Sequence, residues 1–121
     1  MGMAAKDELG KRGEDVAVEH LARCGLTVVE RNWRCPQGEV DVVATDGTEL
    51  VFVEVKTRSG VRFGYPLEAI TALKLARLRR LAHAWCAAHP GNGGRRIRID
   101  AIGIVLTDRG LIEIDHLEGV F

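Results

Sequence analysis

The segment Leu50-Val51-Phe52-Val53 constrains this chain more than any other. It is rich in β-branched and aromatic residues, which favour a strand. Strand side chains alternate between faces, so both faces here are apolar. Such a strand is stable only when covered on both sides, in the middle of a sheet with helices above and below it. The flanking sequence supplies those parts. Lys6 to about Cys24 reads as a helix, with Leu9, Val16, Ala17, Leu21 and Cys24 on one face and Gly25 as its stop. Residues 26–34, 39–45 and 49–58 read as strands, separated by a Cys35-Pro36-Gln37-Gly38 turn and an Asp46-Gly47 hairpin signal. A loop over residues 57–65 precedes a helix that Pro66 begins and His89-Pro90-Gly91-Asn92-Gly93-Gly94 ends. Residues 95–106 and 111–117 are the last two strands. The order α-β-β-β-α-β-β predicts an α/β, three-layer fold with a mixed central sheet flanked by helices. A length of 121 residues fits a single domain over residues 1–121, with about 1–5 disordered.

The second and third strands carry Glu39, Asp41, Glu54 and Lys56. A two-residue loop at Asp46-Gly47 would set Thr45 opposite Thr48, Asp41 opposite Phe52 and Glu39 opposite Glu54. Glu39, Asp41, Phe52, Glu54 and Lys56 would then share a face, with Asp41 diagonal to Glu54. Carboxylates that close repel, and a hard cation between them removes the cost. All-oxygen ligands favour Mg²⁺ or Mn²⁺ over Zn²⁺. The ammonium of Lys56 fits a role in orienting or deprotonating water, or in stabilising a developing phosphoryl charge. Val-Glu-Val-Lys is also the pattern of any half-exposed strand. Two features favour a site: the acids converge from two strands, and the chain places one of only four lysines, against 13 arginines, at position 56. Glu14 falls at the edge of the first helix's apolar face, where it can reach the same site.

Net charge is zero, with 17 bases and 17 acids, yet the charges are segregated. Residues 55–99 carry 10 bases and one acid, whereas residues 1–54 carry 11 acids and 6 bases. Arg58 and Arg62 in the loop, with Lys74, Arg77, Arg79 and Arg80 on the second helix, form a candidate surface for phosphates. The second helix is expected to bury Ile70, Leu78, Leu81 and Trp85, with Lys74 in the middle of that stripe. Phe63 and Tyr65 are candidates for stacking on bases.

The three cysteines are odd in number and widely spaced, as expected of reduced thiols in a cytoplasm. The four histidines show no ligand spacing with them, so zinc is not expected. No apolar stretch approaches the ~20 residues that span a bilayer, and the first eleven residues do not read as a signal peptide.

Several segments together resemble a known family. They are Gly13-Glu14, Asn32-Trp33-Arg34, Gly38-Glu39-Val40-Asp41-Val42-Val43 and Leu50-Val51-Phe52-Val53-Glu54-Val55-Lys56-Thr57-Arg58. Gly64-Tyr65-Pro66-Leu67-Glu68-Ala69-Ile70 with Lys74, then Arg98-Ile99-Asp100-Ala101-Ile102-Gly103 and a terminal phenylalanine, extend the match. They look like the YraN-like family of uncharacterised bacterial proteins, over about residues 8–121. That family is similar to the PD-(D/E)xK, restriction-endonuclease-like nuclease superfamily, including archaeal Holliday junction resolvases. The resemblance implies an αβββαβ core, Mg²⁺ or Mn²⁺ as cofactor and nucleic acid, DNA above all, as partner. It implies that Asp41 and Glu54 bind the metal, Lys56 activates water and Glu14 completes the site. Glu39 matches the family's G-E-x-D pattern, and Val40 stands where the superfamily name has proline. Cutting a branched substrate twice would suit a homodimer. A nuclease fold does not by itself establish cleavage. A non-catalytic nucleic-acid-binding module and a protein-interaction domain on the same fold stay open beside the endonuclease.

Overall fold

The computed structural model describes residues 5–92 and 94–120. The elements are α1 (Ala5–Arg23), β1 (Thr27–Cys35), β2 (Gly38–Thr45), β3 (Glu49–Arg58), a 3-10 turn (Pro66–Ala69), α2 (Ala72–Ala88), β4 (Arg96–Thr107) and β5 (Gly110–Leu117). Of the start expected to be disordered, residues 1–4 lie outside the described residues and Ala5 opens α1.

The sheet runs β1-β2-β3-β4-β5. β3 is central, antiparallel to β2 and parallel to β4, with α2 in the crossover. The mixed sheet flanked by helices is as the apolar quartet predicts. Leu50, Val51, Phe52 and Val53 are all wholly buried. Val51 and Val53 pack with Ala17 and Leu21 of α1. Leu50 and Phe52 pack with Leu78, Leu81 and Trp85 of α2 on the opposite face. Phe52 and Trp85 meet edge to face at 5.6 Å, and the Trp85 indole donates to Glu30 at 2.9 Å.

The second helix does not run from Pro66. The 3-10 turn ends at Ala69, Ile70 turns extended (φ −94, ψ 106), and Thr71 caps a fresh start by accepting the Lys74 N–H through Oγ1 at 3.2 Å. The later start leaves the expected buried stripe of Leu78, Leu81 and Trp85 in place and takes Ile70 off the helix. Leu78, Leu81, Ala82 and Trp85 are buried, while Ile70 precedes α2 and Lys74 is exposed, its Nζ donating to the Ala69 carbonyl at 3.0 Å.

The β2–β3 hairpin also departs from expectation. Thr45 pairs with Leu50, not Thr48. Asp46 Oδ1 accepts the N–H groups of both Thr48 and Glu49 at 2.8 Å, and Thr45 Oγ1 donates to the Glu49 carbonyl at 2.7 Å. This side-chain closure uses a longer loop than two residues. The register therefore slips by two. Face parity is unaffected by an even slip, but the level of Asp41 moves from Phe52 towards Glu54.

Two glycines mark close approaches. Gly13 is buried where α1 crosses β3, and a Cβ there would collide with the Thr57 side chain. At Gly103 of β4, a Cβ would lie 2.9 Å from Leu67 Cγ of the 3-10 turn. Gly13→Ala is expected to cost about 1–3 kcal/mol, read as a fall in the urea midpoint at unchanged m-value. It should also weaken whatever chemistry depends on Glu14, the next residue.

Asp100 is the wholly buried acid of β4. Arg98 donates to both its oxygens at 3.0 Å, Gly119 N–H donates at 3.0 Å, and His116 Nε2 lies at 2.7 Å. Burial pushes its carboxyl up, but the hydrogen bonds from His116, Arg98 and Gly119 outweigh that and hold it below the ordinary range.

Candidate functional site

The pleat of β2 inverts at Asp41. Val42 and Ala44 pack on the α1 side and Val43 on the α2 side, as alternation requires. Val40 should then face α1, yet it packs with Val43 on the α2 side. Its partner on β1, Trp33, does the same, and Asn32, just before Trp33, takes a left-handed backbone (φ 53). Asparagine is among the few residues that tolerate that region. The regular ladder to β3 stops at Val42↔Val53. Beyond it, the Asp41 carboxylate accepts the Val55 N–H at 2.8 Å.

The inversion sorts the four polar groups differently from the shared face expected. Glu39 turns towards α1 and lines a groove with Glu14, Arg31, Asn32, Arg34, Val55 and Lys56. Glu14, Glu39 and Asp41 each offer an oxygen, and these oxygens lie within 4.8 Å of one another. Glu54 follows the alternation of Leu50 and Phe52 towards α2, where the charges of Lys74 and Arg77 act on it. Asp41, at the inversion, feels both sides.

Electrostatics follow from that crowding. Burial first, then the charge of Glu54, push the Asp41 carboxyl up to about 7; the Val55 N–H opposes the rise, and Glu14 and Glu39 add to it. Burial raises Glu54 against the pull of Lys74, Arg77 and Lys56. Burial likewise raises Glu14, against a hydrogen bond from Asn32 and the nearby Arg31. Arg31 pairs with Asp15 at 2.7 Å and reaches Glu14 at 3.9 Å, and Arg34 Nε donates to Glu39 at 2.9 Å. Three oxygen donors and no nitrogen or sulfur suit a hard divalent cation such as Mg²⁺ or Mn²⁺.

The groove continues past Lys56 along Lys6, Leu9, Thr57, Arg58, Ser59, Arg62 and Phe63. Arg58 Nε is buried there without a hydrogen-bond partner, and Arg62 lies over the Phe63 ring at 5.6 Å. Phe63 is 81% exposed and Tyr65 is also exposed. Of the candidate phosphate contacts, the structure thus brings Arg58 and Arg62 to the groove. Lys74 and Arg77 stand beside Glu54 on α2, while Arg79 and Arg80 lie further along that helix, outside the groove lining. Arg31, Arg34 and Asn32 are groove residues that the basic-block argument missed. The signal for Asn32 and Arg34 was present in the Asn32-Trp33-Arg34 segment, on the strand that pairs with β2, which carries Glu39 and Asp41.

No helix among the described residues is long and apolar enough to cross a membrane. Glu14, Asn32, Glu39, Asp41, Glu54 and Lys56 all fall inside residues 13–104, which match the model of the uncharacterised protein family UPF0102. A UPF0102 protein of Beutenbergia cavernae is 57% identical over 118 residues, covering 98% of this chain and 99% of its own length. One from Kineococcus radiotolerans is 53% identical over 116 residues, covering 96% and 95%. One from Frankia alni is 49% identical over 121 residues, with both chains covered fully. A match that contains the whole acid cluster, with relatives aligned end to end, settles membership: the chain belongs to the uncharacterised protein family UPF0102.

Proposed function

We propose that this protein is a metal-dependent endonuclease that hydrolyses phosphodiester bonds of DNA, branched DNA included, on a restriction-endonuclease-like fold of the PD-(D/E)xK kind. One observation carries the reading: the oxygens of Glu14, Glu39 and Asp41 converge within 4.8 Å, at a groove that Lys56 also lines. Those three carboxylates would hold Mg²⁺ or Mn²⁺, with Glu54 adding negative charge behind Asp41. The cation supplies Lewis-acid polarisation of the phosphate and a more acidic water. The protein's own groups do the rest. Lys56 stabilises charge developing on the phosphoryl oxygens. Arg58 and Arg62 hold flanking phosphates along the groove, and Phe63 offers a face for an unpaired base. Paired incision of a branched substrate requires two such sites, hence a homodimer. The three cysteines are free, in keeping with a cytoplasmic location.

The test is cleavage of linear duplex and four-way-junction DNA with Mg²⁺ or Mn²⁺ by the wild type and Asp41→Ala. Activity that survives the substitution would sink the assignment. The exposed Phe63–Arg62 pair favours a second reading, a non-catalytic nucleic-acid-binding module. Binding that weakens with salt, without cleavage under any metal, would select it. In either case Arg58→Ala with Arg62→Ala is expected to weaken DNA binding and flatten the salt dependence by about two charges, measured by fluorescence anisotropy across a salt series.

A further inference from the structure

A second cluster lies where the end of α1 meets the edge strand β5. His20 Nε2 is 3.0 Å from His116 Nδ1 and 3.6 Å from Cys24 Sγ. The three side chains each offer a ligand atom within 4.8 Å of the others. Cys24 N–H donates to the His20 carbonyl at 3.1 Å, so helical geometry continues just past α1 and places these two side chains on one face, four residues apart. The pairing of β5 with β4 brings His116 to them.

Behind His116 stands the buried carboxylate of Asp100. It is paired with the Arg98 guanidinium and takes the Gly119 N–H. A carboxylate only accepts, so His116 Nε2 is the donor across the 2.7 Å contact. In the neutral ring, Nδ1 then carries the lone pair, aimed at His20. A carboxylate that fixes the tautomer and orientation of an imidazole is the usual support of a metal-ligating histidine.

We propose that His20 Nε2, His116 Nδ1 and Cys24 Sγ form a Zn²⁺ site. A tetrahedral zinc with bonds of ~2.0 Å to nitrogen and ~2.3 Å to sulfur sets its ligand atoms ~3.3–3.6 Å apart. The observed 3.0 and 3.6 Å need only a small opening. Two nitrogens and a sulfur suit zinc and not Mg²⁺, so this site and the acid cluster select different ions. Three protein ligands leave a fourth position, and Cys24 is exposed, so water completes the shell. Binding shifts the proton of the His20–His116 contact from His20 Nε2 to Nδ1 of the same ring, and releases one proton from the Cys24 thiol. The ion ties the last turn of α1 to the edge strand, holding the helix that also carries Glu14. Zinc was not expected, on the ground that no histidine stood at ligand spacing from a cysteine; the structure corrects this, since His20 and Cys24 lie four apart on one helical face and His116 joins them from the far end of the chain.

The test is calorimetric titration of Zn²⁺ into the reduced full chain and into Asp41→Asn, which disables the acid cluster. Both are expected to bind Zn²⁺ at this site. Asp100→Asn should weaken it about 10–100-fold, and Cys24→Ser and His116→Gln by more. Cys24 is exposed, so Cys24→Ser remains folded. Co²⁺ should give a thiolate charge-transfer absorption that Cys24→Ser lacks. Zn²⁺ binding equally tight in Cys24→Ser and His116→Gln, no Zn²⁺ binding by the folded wild type, or no charge-transfer band with Co²⁺ would each overturn the site.

Discussion

Lys56→Ala is expected to lower metal-dependent DNA cleavage by about 10²–10³-fold, the usual cost of losing one preorganised charge at a developing oxyanion. Lys56 is held on the central strand β3, and among the described residues it belongs to no ion pair. Its ammonium is therefore available to substrate at the groove it lines. The substitution leaves the three carboxylates in place, so metal affinity should hold or rise slightly. Stability should change by less than about 1 kcal/mol, because the side chain is only half-buried. Lys56→Arg should not restore the rate, since a planar fork does not replace a compact ammonium. Single-turnover cleavage at saturating Mn²⁺, with metal affinity measured separately, distinguishes this role from a structural one.

Asp41→Asn should make the metal-free protein more stable, by about 2 kcal/mol at pH 8, while abolishing cleavage. The wild-type carboxyl is buried among like charges and titrates at about 7, against an ordinary 3.8. The folded state thus holds the proton more tightly than the unfolded chain. Wild-type stability is consequently lost as the pH rises from the ordinary carboxylate range through about 7. Asparagine keeps an oxygen for the Val55 N–H and removes the repulsion. The gap between the two proteins should be widest above neutrality and close towards acid, as urea unfolding across pH can show. A stabilising loss of function of this kind is what a site built for a cation would give.

Much of this was legible in the sequence. The apolar quartet at 50–53 was enough to place β3 in the centre and the helices on both faces, because burial on two sides has one architectural solution. The Asp46-Gly47 pair located the hairpin but not its register, since the closure depends on how Asp46 and Thr45 side chains bond the backbone. Alternation could not foresee the inversion at Asp41, because counting by twos assumes an unbroken pleat. The left-handed Asn32 opposite it is a local backbone choice that only the three-dimensional pairing makes visible. That inversion moves Glu39 towards Glu14 and leaves Glu54 facing α2. The His20–Cys24 spacing was readable on α1, but its third member required the β4–β5 pairing.

The proposed cation site is tested most directly by thermal unfolding with and without Mn²⁺, in a Cys24→Ser background that disables the second cluster. Mn²⁺ binding only the folded state stabilises it by about 2.7 kcal/mol at a concentration 100-fold above the dissociation constant. The midpoint should rise with Mn²⁺ when Asp41 is present and stay fixed in the Asp41→Asn counterpart. No rise in the first, or an equal rise in both, would contradict a cation held by Glu14, Glu39 and Asp41.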